Sequence, residues 1–164
     1  VCHPDSQSAP KLAFEKTFAE QFKKSSTLIW EKQSAGMGWQ DYRAQHEPIL
    51  YGWKEGTGKH FYCGDRSKTT IWKIGRDAQS KYVHPTQKPV ALPEEAINNS
   101  SKGKDIVLDL FGGSGSTLIA CEKTNRHARL MELDPKYCDV IVKRWEDFTG
   151  KKAILLTETA EAVN

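Results

Sequence analysis

The sequence predicts an α/β fold, because strands and helices alternate along the second half of the chain. Asp105–Phe111, DIVLDLF, is an apolar strand that runs into the stretch GGSGS, and a helix is expected from about 116 to 125. A second strand, Arg126–Leu133, is followed by Asp134 and Pro135, residue types typical of a helix N-cap and first turn. Strand, helix, strand, helix in succession is the pattern of a parallel, doubly wound sheet.

The remaining helices are predicted from residues that recur at helical spacing. After Pro10, phenylalanines at positions 14, 18 and 22 recur every four residues, so we expect one face of this helix to pack on a core. A short helix is expected after the stretch HPTQKP, with Pro93 in its first turn. In the helix after Pro135, helical spacing places one set of residues on a shared face: Tyr137, Val140, Ile141, Arg144, Trp145 and Phe148.

The first half of the chain predicts an antiparallel strand pair. Ser26–Lys32, STLIWEK, and Glu47–Trp53, EPILYGW, are rich in branched and aromatic residues and are separated by a glycine-containing loop. From Lys54 to Val83 the periodicity is lost, and basic residues outnumber acidic ones between interspersed aromatic side chains. The predicted fold class is therefore a doubly wound α/β sheet mixed with an antiparallel pair.

Composition narrows the class of protein. With 164 residues, 38% hydrophobic and 27% charged residues and a mean hydropathy of −0.63, the chain fits one globular domain. No apolar run approaches the roughly 20 residues of a membrane span, and no signal peptide is visible, so we expect a cytoplasmic protein without membrane contact. The four cysteines form no C-x-x-C pair, so we expect free thiols and no metal.

The glycine-rich turn after the first buried strand is the strongest candidate site. A bare backbone at a helix start lets a ligand approach its N–H groups. Gly113 and Gly115 fit the first two glycines of G-x-G-x-x-G, but Leu118 occupies the third position, and no Lys-Ser/Thr pair completes a P-loop. Glu132 follows at about the distance where an acidic side chain accepts ribose hydroxyls. A nucleoside-containing cofactor is favoured, and a purely structural glycine turn is the alternative.

These stretches resemble a known family. DLFGGSGSTLIAC, followed by MELDPKYCDVIVKRW and preceded by HPTQKP, is similar to the amino-group DNA methyltransferases, which methylate adenine N6 or cytosine N4, in their permuted beta arrangement. The likeness extends upstream through LIWEK and HEPILYGWK and covers most of residues 1–153. It implies part of a Rossmann-like, S-adenosylmethionine-dependent methyltransferase sheet, with double-stranded DNA as the partner.

The resemblance also implies which residues bind S-adenosylmethionine. Asp109 matches the residue near the methionine ammonium, Glu132 the one that holds the ribose hydroxyls, and Leu133 the apolar side chain beside the adenine. Thr86 and Lys88 match residues at the methionine end, where Lys88 complements the carboxylate by charge. The full set of expected cofactor residues is Thr86, Lys88, Asp109, Phe111, Gly112, Gly113, Ser114, Gly115, Ser116, Glu132 and Leu133.

The family's catalytic loop is missing from the sequence. In the family, a D-P-P-Y or S-P-P-Y loop holds the amino group of a flipped base, which attacks the sulfonium methyl directly. The seven prolines here are never adjacent. The string DPKY at Asp134–Tyr137 begins a helix, so we interpret it as an N-cap plus a core tyrosine. We therefore expect the chain to begin downstream of the catalytic strand, to contain no catalytic residue and to be inactive by itself.

The resemblance divides the chain into four parts: a partial catalytic half (1–53), a target-recognition insert (54–83), a cofactor-binding half (84–150) and a tail (151–164). In the insert, Lys59, Arg66, Lys68, Lys73 and Arg76 are the expected phosphate contacts, with a solvated loop as the alternative. Because an incomplete sheet exposes its edges, we also expect self-association. The alternatives are a non-catalytic cofactor- or DNA-binding remnant, a methyltransferase acting on another substrate, and a dinucleotide-dependent oxidoreductase.

Overall fold

The computed structural model describes residues 9–36, 39, 41–65, 67–75 and 87–156. The elements in chain order are α1 (Ala9–Gln21), β1 (Lys23–Glu31), β2 (His46–Trp53), β3 (Ile71–Lys73), α2 (Ala91–Ser100), β4 (Ile106–Asp109), α3 (Ser116–Thr124), β5 (His127–Leu130) and α4 (Pro135–Thr149). They form an α/β structure with two sheets, a mixed one of order β2-β1-β3 and a separate parallel one of β4 and β5. The predicted fold class is confirmed, although the strands of the described residues do not join into a single sheet.

The mixed sheet is built on the predicted antiparallel pair. In β1 and β2, Leu28 lies opposite Ile49 and Trp30 lies opposite Glu47. Trp30 is 2% exposed, and its indole Nε1 donates a hydrogen bond to the Ile74 carbonyl at 2.8 Å. Because a buried indole N–H needs an acceptor, this bond attaches the segment after β3 to the centre of the sheet.

β3 was not predicted. It lies inside the insert and pairs in parallel with β1, with Ile71 beside Ile29 and Trp72 beside Trp30. A strand of three residues carries too little alternation to be recognised in a sequence, since its strand geometry comes from pairing with a partner far away along the chain. The insert is thus joined to the mixed sheet by backbone hydrogen bonds.

The parallel sheet is covered on one side by helices. β4 and β5 pair from Ile106 beside His127 to Asp109 beside Leu130, and α3 connects the two strands. A small core lies between this sheet, α2 and α3, and consists of Ile97, Ala120 and Cys121 with Val90, Val107 and Ala128 packed against them. Burial raises the pKa of the Cys121 thiol, which keeps it protonated and unreactive.

Several expected details of the helices and strands are wrong. The side chain of Phe14 is 65% exposed, so only Phe18 and Phe22 pack together, with ring centroids 5.1 Å apart. Phe148 on α4 is half exposed, whereas Ile141 is buried as predicted. β5 ends at Leu130 rather than at Leu133, because its pairing with β4 stops where β4 ends at Asp109.

The start of α4 is confirmed as predicted. Asp134 is its N-cap, and the side-chain oxygen Oδ1 accepts a hydrogen bond from the Lys136 N–H at 2.9 Å, with Pro135 as the first helical residue. Within the described residues, none of the helices is long and apolar enough to cross a bilayer. The same part of the chain contains no group of three histidine, cysteine, aspartate or glutamate residues placed to hold a metal ion.

Candidate functional site

A cleft of about 680 Å³ lies between the carboxyl ends of β4 and β5 and the mixed sheet. One wall is the glycine-rich turn with Glu132 and Leu133, which come shortly after β5. A second wall is α2, and Ile49 and Trp72 reach the cleft from the mixed sheet. A volume of this size is typical of sites for nucleotide-sized ligands. Of the expected cofactor residues, the cleft is lined by Lys88, Asp109, Phe111, Gly112, Gly113, Ser114, Ser116, Glu132 and Leu133.

The bare backbone of the turn has two separate causes. Gly113 and Gly115 have φ angles of +53° and +78°, a region that glycine adopts without strain. A Cβ on Gly115 would lie 3.2 Å from Ile141 Cγ2, and one on Gly112 would lie 3.0 Å from Ile141 Cδ1. Gly112 and Gly115 therefore let α4 pack directly against the turn, whereas a Cβ on Gly113 would meet only the Phe111 carbonyl at 3.8 Å. Gly113 is the one of the three that stays open to an approaching ligand.

The carboxylate of Glu132 is held at this turn. Its Oε2 accepts a hydrogen bond from the Gly113 N–H at 2.7 Å, and its Oε1 accepts from the N–H groups of Leu133 and Asp134 at 2.9 and 3.0 Å. Hydrogen bonds from backbone N–H groups to an ionised carboxylate are among the stronger ones in proteins. Glu132 is thus fixed in orientation at the wall of the cleft, where the sequence predicted an acidic side chain.

Asp109, at the end of β4, has both carboxylate oxygens engaged. Oδ1 accepts from the Phe111 N–H at 3.0 Å, and Oδ2 accepts from the Thr117 hydroxyl at 2.6 Å. Thr117 lies in the first turn of α3 and lines the cleft, but it was not predicted as a site residue. A hydroxyl residue two positions after the last glycine was the available signal, since such side chains commonly bond a nearby carboxylate or backbone group.

The two serines of the turn fix its conformation through hydrogen bonds to other parts of the chain. Ser114 and Ser116 are buried, and the guanidinium Nη1 of Arg144 on α4 donates to the Ser114 carbonyl at 2.9 Å and lies 3.3 Å from the Ser116 hydroxyl. The Ser116 hydroxyl in turn donates to the backbone carbonyl of Lys88 at 2.7 Å. Arg144 was expected only as part of an apolar helix face, so its role in fixing the turn was missed.

Lys88 belongs to a group of charges at the edge of the cleft. Its ammonium donates to Glu47 Oε2, while Lys32 Nζ lies 2.7 Å from Glu47 Oε1. Both ammonium groups also lie over the Trp30 ring, at 5.3 Å for Lys88 and 5.7 Å for Lys32. Burial alone would raise the pKa of Glu47, but the hydrogen bonds and charges of the two lysines outweigh it and lower that pKa.

Some predicted site residues are placed differently from expectation. Leu133 is 97% exposed and Phe111 is 77% exposed, so each lies at the margin of the cleft rather than buried inside it. Tyr137, which we expected in the core, lines the cleft instead. Thr86 lies outside the described residues and so has no position to compare.

The expected phosphate contacts of the insert are mostly engaged with neighbouring side chains. Lys59 lies over the Tyr62 ring at 5.3 Å, and Lys73 Nζ lies 3.6 Å from Glu31 Oε2. Lys68 forms an ion pair with Glu95 on α2 at 2.6 Å, which raises the pKa of Lys68. Arg66 and Arg76 fall outside the part of the chain that the structure describes.

Residues 3–143 match the model of a protein family, the N6/N4 methyltransferases, whose description is DNA methylase. The chain belongs to this DNA methylase family. Among its relatives, the type II methyltransferase M2.MboI of Moraxella bovis is 26% identical over 141 residues, which is 78% of this chain and 52% of that protein. The type II methyltransferase M.HindIII of Haemophilus influenzae is 32% identical over 112 residues, 67% of this chain and 32% of the relative. The chain therefore spans about half or less of the length of these methylases.

Two solved structures share the fold of this chain. The M1.HpyAVI–SAM complex superposes with a TM-score of 0.72 at 28% identity, and the match covers 84% of this chain and 71% of that one. The PvuII cytosine-N4-specific DNA methyltransferase has a TM-score of 0.70 at 19% identity, over 84% of this chain and 57% of the other. Both agree with the α/β class predicted from the sequence.

Proposed function

We propose that this methylase chain provides the S-adenosylmethionine site of a DNA amino-methyltransferase. The observation that carries the proposal is the Glu132 carboxylate, oriented by three backbone N–H groups beside the open Gly113 backbone in a cleft of about 680 Å³. A fixed carboxylate at the end of the second strand suits a pair of ribose hydroxyls. The related M1.HpyAVI structure is a complex with this cofactor, which supports the same ligand here.

Each end of the cleft has a role in this proposal. Glu132 accepts hydrogen bonds from the ribose, and the exposed side chains of Phe111 and Leu133 cover the adenine. At the other end, Asp109 faces the methionine ammonium and Lys88 its carboxylate, with Thr86 beside them. S-adenosylmethionine supplies an electrophilic methyl group, and the residues of this chain bind and orient it without forming a covalent bond.

The substrate of the proposed reaction is the exocyclic amino group of adenine N6 or cytosine N4 in double-stranded DNA. The 164 residues contain no adjacent prolines and hence no D-P-P-Y or S-P-P-Y loop, so we propose that they do not transfer the methyl group by themselves. The second candidate function is a cofactor- or DNA-binding module without catalysis. Methylation of DNA by these residues alone would contradict both statements.

The insert and the parallel sheet provide the proposed partner surfaces. Residues 54–83 form the target-recognition part, in which Lys59, Lys68 and Lys73, together with Arg66 and Arg76, contact DNA phosphates. The cytoplasm is the compartment that fits a DNA substrate. The exposed Ile106 and Leu108, and the β4–β5 strand edges that are unpaired among the described residues, support self-association.

Titration calorimetry with S-adenosylmethionine tests the proposed site. We expect the native chain to bind the cofactor and Glu132→Gln to weaken binding by about 10- to 100-fold, since hydrogen bonds to a charged group contribute about 1.5–3 kcal/mol. Glu20→Gln, an exposed glutamate on α1, is the matched control and should bind like the native chain. Thermal melting of each variant establishes that it is folded.

The proposal fails if the folded native chain binds no S-adenosylmethionine, or if Glu132→Gln binds it as tightly as the native chain does. A parallel titration with a nicotinamide dinucleotide separates the alternative class. Tight binding of that ligand would favour a dinucleotide-dependent oxidoreductase over a methyltransferase.

A further inference from the structure

Three charged residues meet at the junction between the mixed sheet and the cleft. We call Lys32, Glu47 and Lys88 the charge cluster. Glu47 lies on β2 opposite Trp30, Lys32 directly follows β1, and Lys88 comes from the cofactor-binding half. Each lysine ammonium contacts a different oxygen of the one carboxylate, so Glu47 holds both at once.

The cluster carries a net charge of +1, because two ammonium groups surround a single carboxylate. The Lys32 side chain is only 12% exposed, whereas that of Lys88 is 30% exposed and lines the cleft. The surplus positive charge is therefore accessible to a ligand through Lys88. Lys32 is not among the residues that line the cleft, so its influence on a ligand passes through Glu47.

We propose that Lys32 is a positioning residue that neutralises Glu47, and thereby leaves the charge of Lys88 available to a carboxylate in the cleft. This inference rests on the proposed function, in which that carboxylate belongs to the methionine end of the cofactor. Without Lys32, Glu47 and Lys88 form a one-to-one pair with no net charge. An anionic group would then have to compete with Glu47 for the one ammonium left in the cluster.

The charge balance predicts how the cluster responds to substitution. Lys32→Met lowers the cluster from +1 to zero and should weaken the attraction for a carboxylate. Adding Glu47→Gln to Lys32→Met returns the cluster to +1 through Lys88 alone and should restore the attraction. A residue that only supports the fold would show no such rescue, because the second substitution removes a further ion pair.

The test compares two ligands by titration calorimetry, S-adenosylmethionine and its decarboxylated form, which lacks only the carboxylate. The readout is the ratio of the two dissociation constants, so a general loss of cofactor affinity cancels. We expect the native chain to prefer the carboxylate form by about tenfold or more, the effect of one charged hydrogen bond. Lys32→Met should bring the ratio severalfold closer to one, and Lys32→Met/Glu47→Gln should return it to the native value.

Two further variants serve as controls for the charge of Lys32. Lys32→Arg keeps the charge and should keep the native ratio. Lys24→Met removes a lysine within β1, one that pairs with Glu15 at 3.5 Å, and should leave the ratio unchanged. Lys32→Gln replaces Lys32→Met if melting shows that the methionine variant is unfolded.

The outcomes separate this inference from the proposed function. If the native chain binds neither ligand, both the function and the inference are overturned. If it binds both ligands and Lys32→Met leaves the ratio at its native value, the inference alone is overturned and the cofactor site stands. A ratio that falls in Lys32→Met but does not recover in the double variant overturns the charge-balance role of Lys32.

Discussion

Glu47 is a half-buried glutamate whose stability contribution depends on its charge. Its pKa in the folded chain is lowered by Lys32 and Lys88, against the opposing effect of burial. A carboxylate with a depressed pKa stabilises the folded state fully above its unfolded pKa, and this stabilisation is lost as the pH falls through the folded pKa. The loss therefore begins below the ordinary glutamate value of about 4.3.

Glu47→Gln should accordingly change how stability depends on pH. At pH 7 we expect the variant to be less stable than the native chain by about 1 kcal/mol or less, since the Glu47 side chain is 35% exposed and solvent screens the pairs. Below about pH 4.3 this difference should shrink, because the native glutamate becomes protonated as well. Urea unfolding from pH 7 to pH 3.5 measures it, with Glu20→Gln, an exposed glutamate of α1, as the control. A difference that stays constant over this range would contradict the role assigned to the charge.

The structural roles of some residues could be predicted from the sequence, whereas those of others could not. The Asp134 cap and the Glu132 carboxylate were predictable, because a cap is a local pattern and the carboxylate follows a strand at a known spacing. The pairing of Lys88 with Glu47 joins residues 41 positions apart, and the contact of Arg144 with Ser114 joins residues 30 apart. No local periodicity encodes such contacts, which arise only when the elements pack together.

At the scale of elements, the β4–β5 sheet has one covered face and one open face. Side chains alternate along a strand, so Val107 packs on the core while Ile106 and Leu108, 66% and 63% exposed, point the other way. Leu110 and Met131 extend the exposed apolar surface beyond the strand ends, at 52% and 61%. The exposed face is mixed, because His127 and Arg129 of β5 lie beside Ile106 and Leu108. Its apolar part, beside strand edges that are unpaired among the described residues, favours association.

We therefore expect the chain to self-associate and Leu108→Lys to prevent it, because a lysine on this face would have to be buried without a partner. Sedimentation velocity over a range of protein concentrations measures the effect. Leu12→Lys makes the same change at a 70% exposed position on α1 and should leave association unchanged. A native chain that remains monomeric at the highest concentration would show that the open face does not drive association.

The same elements show where sequence patterns were sufficient. β1, β2, α3 and α4 were predicted because each has a long apolar or amphipathic stretch and clear turn or cap residues at its ends. α1 was predicted with the wrong packing, since the spacing of its phenylalanines gives a shared face but does not say whether another element covers it. At Phe14 none of the described residues buries that face.

At the scale of the whole molecule, the insert is attached both to the mixed sheet and to α2. Lys68 pairs with Glu95, and the Tyr62 N–H donates to the Asn99 carbonyl at 2.7 Å. These contacts hold Lys68 and the neighbouring described part of the insert against α2, at the side of the cleft. A DNA surface in this region would therefore be preformed rather than assembled on binding.

If this surface binds DNA through phosphates, affinity should fall steeply as salt is raised, because neutralised phosphates release counterions. Lys59→Gln should reduce the slope of log affinity against log salt by about one contact. Fluorescence anisotropy with a labelled duplex at several salt concentrations measures the slope, and Lys16→Gln, an exposed lysine of α1, serves as the control. Binding that is insensitive to salt, or a Lys59→Gln slope equal to the native one, would place the DNA contacts elsewhere.

Trp72 has a consequence for redesigning this enzyme family. It lies on β3, inside the insert, yet it forms part of the cleft wall together with residues of the glycine-rich turn. If residues 54–83 recognise the target and the cleft binds the methyl donor, as proposed, transplanting these residues from a methylase of different sequence preference would also replace part of the cleft wall. Under that proposal, a chimera that keeps Trp72 would change target choice with less effect on methyl-donor affinity than one that replaces it.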